Sequence, residues 1–328
     1  TGVINRKAVY ASVKSDNLTK TYDGTANLRT GNPAWSGDTA SGTELKGDAV
    51  INLDGLIAGD NAVNESTGSY VGTGVGMGNK TINYTVAIDS DHAGNYVIMD
   101  AKSRKGTSTL TTNTNTINPY GLAVSFDAIN RDYDGTTHID SALVKSHLSN
   151  ALSRDVIGIA SGYTSNYIDP NVKTVNDSSA TSVNYDGLKL EGTNAANYTL
   201  VNSSGTPLVT SSDKAGTQTM TGAGTMNKFK LTGNNVTFSF TGPIAKEYDA
   251  TNVVEYKGTT TSEALRNYLK DHYVTLGNGT KENLVVDIDS AVYVDANHGA
   301  DKKVTFDMSL NGDHGANYTV DNSVIPPL

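Results

Sequence analysis

No cysteine occurs in the 328 residues. That excludes disulfide staples, a thiol nucleophile and a thiolate zinc centre. It fits either a cytosolic protein or a bacterial surface protein. Long apolar runs are also missing. Nothing approaches the roughly 18–20 residues that a membrane-spanning helix needs, so direct membrane insertion is not expected. Basic charge is in deficit, with 25 Lys and Arg against 34 Asp and Glu and a net charge of −9. A nucleic-acid partner needs a basic footprint and an anionic lipid surface needs a basic patch, so both are excluded. Tryptophan occurs once, phenylalanine five times and proline seven times.

The signatures of chemistry are absent too. There is no G-x-S-x-G, no H-E-x-x-H and no G-x-x-x-x-G-K. The run Gly72-Thr73-Gly74-Val75-Gly76-Met77-Gly78 repeats with period two, which is wrong for a phosphate-cradling loop. It reads as a glycine-lined strand or sheet edge. No enzyme is expected, with neither a catalytic residue nor an organic cofactor. The chain opens on Thr1 rather than Met and closes soon after a repeated motif. This reads as a segment of a longer protein, with any secretion signal or anchor outside it.

What is present is tyrosine, 17 residues of it, and repetition. Lys20-Thr21-Tyr22-Asp23-Gly24-Thr25 returns as Arg131-Asp132-Tyr133-Asp134-Gly135-Thr136 and as Lys246-Glu247-Tyr248-Asp249-Ala250-Thr251. The tyrosines are 111 and 115 residues apart. A second motif closes each copy: Asn95-Tyr96, Asn197-Tyr198 and Asn317-Tyr318, each preceded by Ala or Gly. Order and spacing are kept three times over, so the chain divides into modules at 1–116, 117–224 and 225–328.

Alternating segments make the modules mainly β, each with about five strands. Strands are expected before each opening motif, at 8–13, 122–126 and 236–240, and before each closing motif, at 80–88, 181–190 and 303–310. Thr- and Asn-rich stretches at 105–118 and 203–225 read as linkers or exposed edge hairpins. Helical spacing of Val144, Leu148 and Leu152 predicts a short helix over 141–153. Ala264, Leu265, Tyr268 and Leu269 predict another over 261–271, with Thr260 and Glu263 spaced as a capping box. The same slot in the first module, 27–45, reads as a loop or at most one helical turn. This order suits a β-grasp-like module, with an immunoglobulin-like sandwich as the alternative.

The opening and closing motifs together resemble the YDG-type repeat modules of large bacterial surface adhesins, which often accompany related MBG modules. The resemblance implies a secreted, tandem-repeat chain at the bacterial cell surface. Its partners would be neighbouring repeats and a host or bacterial receptor of protein or glycan. Two departures stand out: Ala250 in place of Gly, and Val97 where Thr199 and Thr319 follow the other closing tyrosines.

Physically, Tyr22, Tyr133 and Tyr248, with Tyr96, Tyr198 and Tyr318, are expected to be buried, because a lean core uses rings of this size. Asp23, Asp134 and Asp249 suit a turn held by acceptance from N–H groups two residues on. Gly24 and Gly135, judged against Ala250, suggest a need for a small residue rather than a left-handed backbone. Asn95, Asn197 and Asn317 suit loops pinned through their amides. Calcium is the one metal with any pattern behind it: Asp89, Asp91 and Asp100 match part of a calcium loop. His92 and His314 occupy matching slots and read as loop residues. Trp35 is the candidate for an exposed aromatic platform, which a carbohydrate-binding array would use.

Overall fold

The structure, a computed structural model, describes residues 1–30, 42–172, 178–211, 216–232, 234–236, 238–311 and 315–320. It is built mainly of strands and falls into two compact units. The first comprises Thr1–Ser125, Ser146–Tyr163 and Gly187–Thr219; the second comprises Phe126–Lys145, Thr164–Asp186 and Met220–Leu328.

In the first unit, Lys7–Val13 is the middle strand of a three-stranded sheet. It runs antiparallel to Ile51–Asp54 and parallel to Tyr96–Asp100. A four-stranded sheet follows in the order Thr19–Thr21, Thr109–Asn118, Gly76–Thr85, Thr67–Tyr70. A further sheet places Tyr120–Phe126 between Ser146–Ser149 and Tyr198–Val201. One buried cluster joins Tyr22, Leu28 and Ile82 of the first copy, and Ile117 on the strand Thr109–Asn118 that runs past the expected boundary at 116, to Leu122, Leu152 and Tyr198 of the second.

In the second unit, Thr164–Tyr167 pairs antiparallel with Ser178–Leu188, and Ile129–Asp132 pairs parallel with Gln218–Asn227. Phe229–Leu231 lies parallel to Tyr318–Val320. Lys281–Tyr293 is the middle strand between His272–Thr275 and Val304–Asn311, with a register shift between Ile288 and Ser290.

Two pairings recur. Each copy's first strand runs parallel to its closing strand, with the closing tyrosine opposite the first residue: Tyr96 opposite Lys7, Tyr198 opposite Tyr120, Tyr318 opposite Phe229. The short strand entering the opening motif runs parallel to the copy's last strand, Thr19–Thr21 on Thr116–Asn118 and Ile129–Asp132 on Gly224–Asn227. The backbone of Tyr22 then donates to Asn118 and that of Tyr133 to Asn227. The counterpart of the last strand in the third copy is not among the described residues, and no strand enters Tyr248.

Several expectations are corrected. The stretch 105–118 is neither a linker nor an edge hairpin, because Thr109–Asn118 is an inner strand. In 203–225 the exposed strand Val209–Thr210 forms the edge of its sheet and pairs antiparallel with the start of Gln218–Asn227, so the edge-hairpin reading holds there and the linker reading does not. Threonine favours the extended backbone, and the few apolar residues, Ile117 and Met226, fall on the buried face. The helix expected over 141–153 is a single 3-10 turn, Ser141–Leu143, capped by Asp140, followed by the strand Ser146–Ser149. A spacing of four puts Val144, Leu148 and Leu152 on one face of a strand as readily as of a helix, and pairing with Tyr120–Phe126 takes the backbone. The helix over 261–271 forms in its first part only, as Ser262–Leu265 continued by a 3-10 turn at Arg266–Tyr268. Its cap is Thr261, one residue later than expected. The third copy's first strand lies at Phe229–Leu231 rather than 236–240, because pairing with Tyr318–Val320 sets it. Most of the slot 27–45, including Trp35, and also His314, lie outside the described residues.

Candidate functional site

The opening hexapeptide builds the same turn three times. Asp23 Oδ1 accepts from the backbone N–H of Thr25 at 2.9 Å and from its hydroxyl at 2.9 Å. Asp134 does this with Thr136, and Asp249 with Thr251. The cation three residues before each aspartate completes the turn. Lys20 Nζ donates to Asp23 at 2.7 Å and to the carbonyls of Thr25 and Asn27. Arg131 reaches Asp134 and the carbonyl of Thr136. Lys246 reaches Asp249 at 2.8 Å and the carbonyl of Val253 at 2.9 Å. Burial lowers the pKa of Lys20, and its bond to Asp23 opposes that shift. The Lys246 bond, with the Thr251 N–H, holds Asp249 down at about 2.

The residue after each aspartate is left-handed: φ is 64° at Gly24, 78° at Gly135 and 64° at Ala250. The reading of Ala250 as evidence against a left-handed backbone is therefore corrected. Space matters as well. A Cβ on Gly24 or on Gly135 would stand 2.9 Å from Leu152 Cδ1 or Leu276 Cδ1, respectively. Those leucines belong to the following copy.

That proximity reveals what the tyrosines do. Tyr22 of the first copy meets Tyr198 of the second edge-on, with ring centroids 5.5 Å apart at 73°. Both hydroxyls donate to Asp155 Oδ2 at 2.8 Å. Tyr120 packs edge-on against Tyr198. Arg154 donates to the Asp23 carbonyl at 3.1 Å. Asn197 Oδ1 accepts the N–H of Val75, a loop residue of the first copy, at 3.0 Å. In the second unit, Tyr133 meets Tyr318 edge-on at 5.6 Å and 78°, and Phe229 flanks Tyr318. Both hydroxyls donate to Glu282, one to each oxygen. Asn278 donates to the Asp134 carbonyl at 2.8 Å. Asn317 Oδ1 accepts the N–H of Val172 at 2.7 Å.

The two motifs are thus the halves of a joint between successive copies: an opening tyrosine from one, and a closing Asn-Tyr with a shared carboxylate from the next. Burial pushes the Tyr22 hydroxyl up to about 12, and its bond to Asp155 adds to the shift. Tyr133, Tyr198 and Tyr318 are pushed up as well, again chiefly by burial. Such a joint consumes its polar groups in fixing geometry.

Two motif copies have no such neighbour among the described residues. Tyr248 is 70% exposed, against 3% for Tyr22 and 2% for Tyr133, so the expectation that it is buried is corrected. Its ring borders a cleft of about 350 Å³ between residues 244–248 and 295–302. Tyr96 donates to Asp60 at 2.6 Å and accepts from the N–H of Ile57, but no opening tyrosine packs on it; Asn95 is exposed.

The calcium candidates do not come together. Asp89 accepts the Val63 N–H and pairs with His92, Asp100 accepts the N–H groups of Lys102 and Ser103, and Asp91 is exposed. Among the described residues no group of three His, Cys, Asp or Glu side chains stands close enough to hold a metal. Sequence reasoning missed Asp155, Glu282 and Asp60. The pattern Leu152-x-x-Asp155 repeats Ile57-x-x-Asp60, but Glu282 lies six residues beyond Leu276, which hides the equivalence.

No curated protein and no solved structure is detectably similar. A model of the YDG domain matches residues 118–207 and 230–325, the second and third copies. Residues 1–116 lie outside those ranges, yet they supply the opening half of the first joint. With over half its length matched, the chain belongs to the YDG domain family.

Proposed function

We propose that this chain is a tandem-repeat stalk segment of a secreted bacterial surface adhesin, of the kind that carries YDG modules alongside MBG modules. It acts without catalysis, by holding successive modules in fixed succession so that an adhesive site is presented away from the cell. The observation that carries this reading is the use made of the repeated residues. The hydroxyls and carboxylates of Tyr22, Tyr198 and Asp155, like those of Tyr133, Tyr318 and Glu282, are closed on one another across copies. A chain selected for chemistry keeps polar groups open to a substrate; here they serve copy-to-copy geometry. Its acidic surface, with net charge −9, suits an extracellular, salt-exposed setting.

Solution scattering tests the geometric part. Modules in line give a radius of gyration of about 30 Å, whereas one compact body of this length gives about 20 Å. A value near the lower figure removes the stalk reading. Surface proteolysis of intact cells producing the full gene product tests the location. Cleavage of the segment without lysis is expected, and full protection contradicts the proposal.

A further inference from the structure

Strand direction decides how a chain meets a pull on its ends. If an early and a late strand of one copy pair antiparallel, their outward ends lie at the same edge of the pair. Tension then opens the ladder one bond at a time. If they pair parallel, those ends lie at opposite edges. Tension must then slide the strands past each other, and every bond of the ladder is loaded together. Here the early strands meet the late ones in parallel. Lys7–Val13 runs parallel to Tyr96–Asp100, and Tyr120–Phe126 to Tyr198–Val201. Thr19–Thr21 runs parallel to the end of Thr109–Asn118, and Ile129–Asp132 to the end of Gln218–Asn227. The latter two ladders are dry: Ile117 and Met226, opposite Lys20 and Arg131, are fully buried.

The crossing from one copy to the next is pinned as well. A single residue separates the strands it joins, in Asn118-Pro119-Tyr120 and in Asn227-Lys228-Phe229. Before the crossing, the Asn118 carbonyl takes the Tyr22 N–H at 2.8 Å, and the Asn227 carbonyl takes that of Tyr133 at 2.9 Å. After it, Tyr120 packs on Tyr198 and Phe229 on Tyr318. Those are the rings that meet Tyr22 and Tyr133. Each joint thus bridges the crossing from both sides, and no slack chain lies between one ladder and the next.

We infer that the chain is a tension-bearing element. Each parallel ladder is a clamp loaded in shear when the chain is pulled from its ends, and the tyrosine joint passes the load from one clamp to the next. The places of the two motifs follow from this. The opening motif stands where a clamp ends, at Tyr22 and Tyr133. The closing motif stands where the next one begins, with Tyr198 opposite Tyr120 and Tyr318 opposite Phe229.

The buried cation of the first clamp strengthens its end. Lys20, opposite Ile117, is itself buried, and its ammonium is held by Asp23 and by the carbonyls of Thr25 and Asn27. Sliding the strand by one residue strands that charge without its acceptors, which is costly in a buried site. This inference stands on strand pairing and not on the adhesin reading, and its test is independent of where the protein is located.

Single-molecule pulling of the full chain tests it. No cysteine is present, so one introduced thiol defines a second point of attachment. Gly59→Cys suits this, because Gly59 is exposed and a Cβ there meets nothing within 4 Å. Residue 59 follows Ile51–Asp54, which runs antiparallel to Lys7–Val13 with Asp54 opposite Tyr10. Pulling between the N-terminus and residue 59 therefore peels that pair, whereas pulling the same variant from its two ends shears the clamps. Forced unfolding reports the barrier to unfolding. Bonds lost together resist more than bonds lost singly, so end-to-end rupture of the first two copies is expected at about twice the peeling force or more, at one pulling speed. Each such rupture is expected to release about 340 Å of chain or more, since about 100 residues lie between the paired strands at about 3.5 Å each. An end-to-end force that falls short of that ratio, or release in steps far shorter than that length, overturns the inference.

Discussion

Tyr133 and Tyr248 stand in the same hexapeptide within the same compact unit, and they have opposite fates. Around both, the aspartate, threonine and preceding cation form the same turn, with the following residue left-handed. Tyr133 is buried under Tyr318 and Glu282; Tyr248 is exposed. The turn is therefore local and self-sufficient, whereas burial of the ring depends on the next copy. The motif residues divide accordingly. Asp, Thr and Lys or Arg make the turn, Gly leaves room for the neighbour's leucine, and Tyr makes the joint.

The largest expected effect tests this division directly. Tyr133→Ala removes a ring from a packed joint and is expected to lower the stability of its unit by about 3–5 kcal/mol, the range for large aromatic truncations. Tyr248→Ala is expected to stay within about 0.5 kcal/mol, as surface substitutions do. Equal losses in thermal unfolding would erase the distinction. Next in size is Glu282→Ala, which leaves two buried hydroxyls without their acceptor. A loss of about 2–3 kcal/mol follows from the cost of stranded polar groups. Glu282→Gln keeps an acceptor for one hydroxyl and is expected to lose less.

The smallest effect is in pH. The folded pKa of Tyr22, about 12, lies above its ordinary value of 10.0. The folded joint therefore favours the neutral phenol. Its contribution is fully present below pH 10 and is lost as pH rises through 12. Tyr22→Phe removes this dependence, so parent and variant are expected to converge in stability as pH climbs from 10 to 12. A constant difference across that window would show that the hydroxyl is not held as described.

Much of this was legible in the sequence, but on one scale only. The mainly β character followed from alternation and tyrosine content, and the threefold order of motifs marked the copies. The joints were not legible, because their partners lie far apart: Tyr22 and Asp155 are 133 residues apart, and Tyr133 and Glu282 are 149 apart. Motifs that recur within every copy invite an account inside each copy. Nothing local signals that the closing asparagine reaches back to the previous copy's loop. Thr- and Asn-rich strands such as Thr109–Asn118 resemble linkers or edge hairpins in sequence because one face meets solvent and few apolar residues are needed. Val144, Leu148 and Leu152 failed as a helix signal because a spacing of four serves both periods.

The central claim is that opening and closing motifs are energetically one object across copies. A double-mutant cycle on Tyr22 and Tyr198 tests it most directly, with Tyr22→Ala, Tyr198→Ala and the double variant followed by calorimetric unfolding. The rings touch edge-on and share Asp155, so the two losses are expected to be non-additive by about 1 kcal/mol or more, in the range for contacting aromatic residues. Losses that add to within about 0.3–0.5 kcal/mol, as they do for independent sites, would contradict the joint.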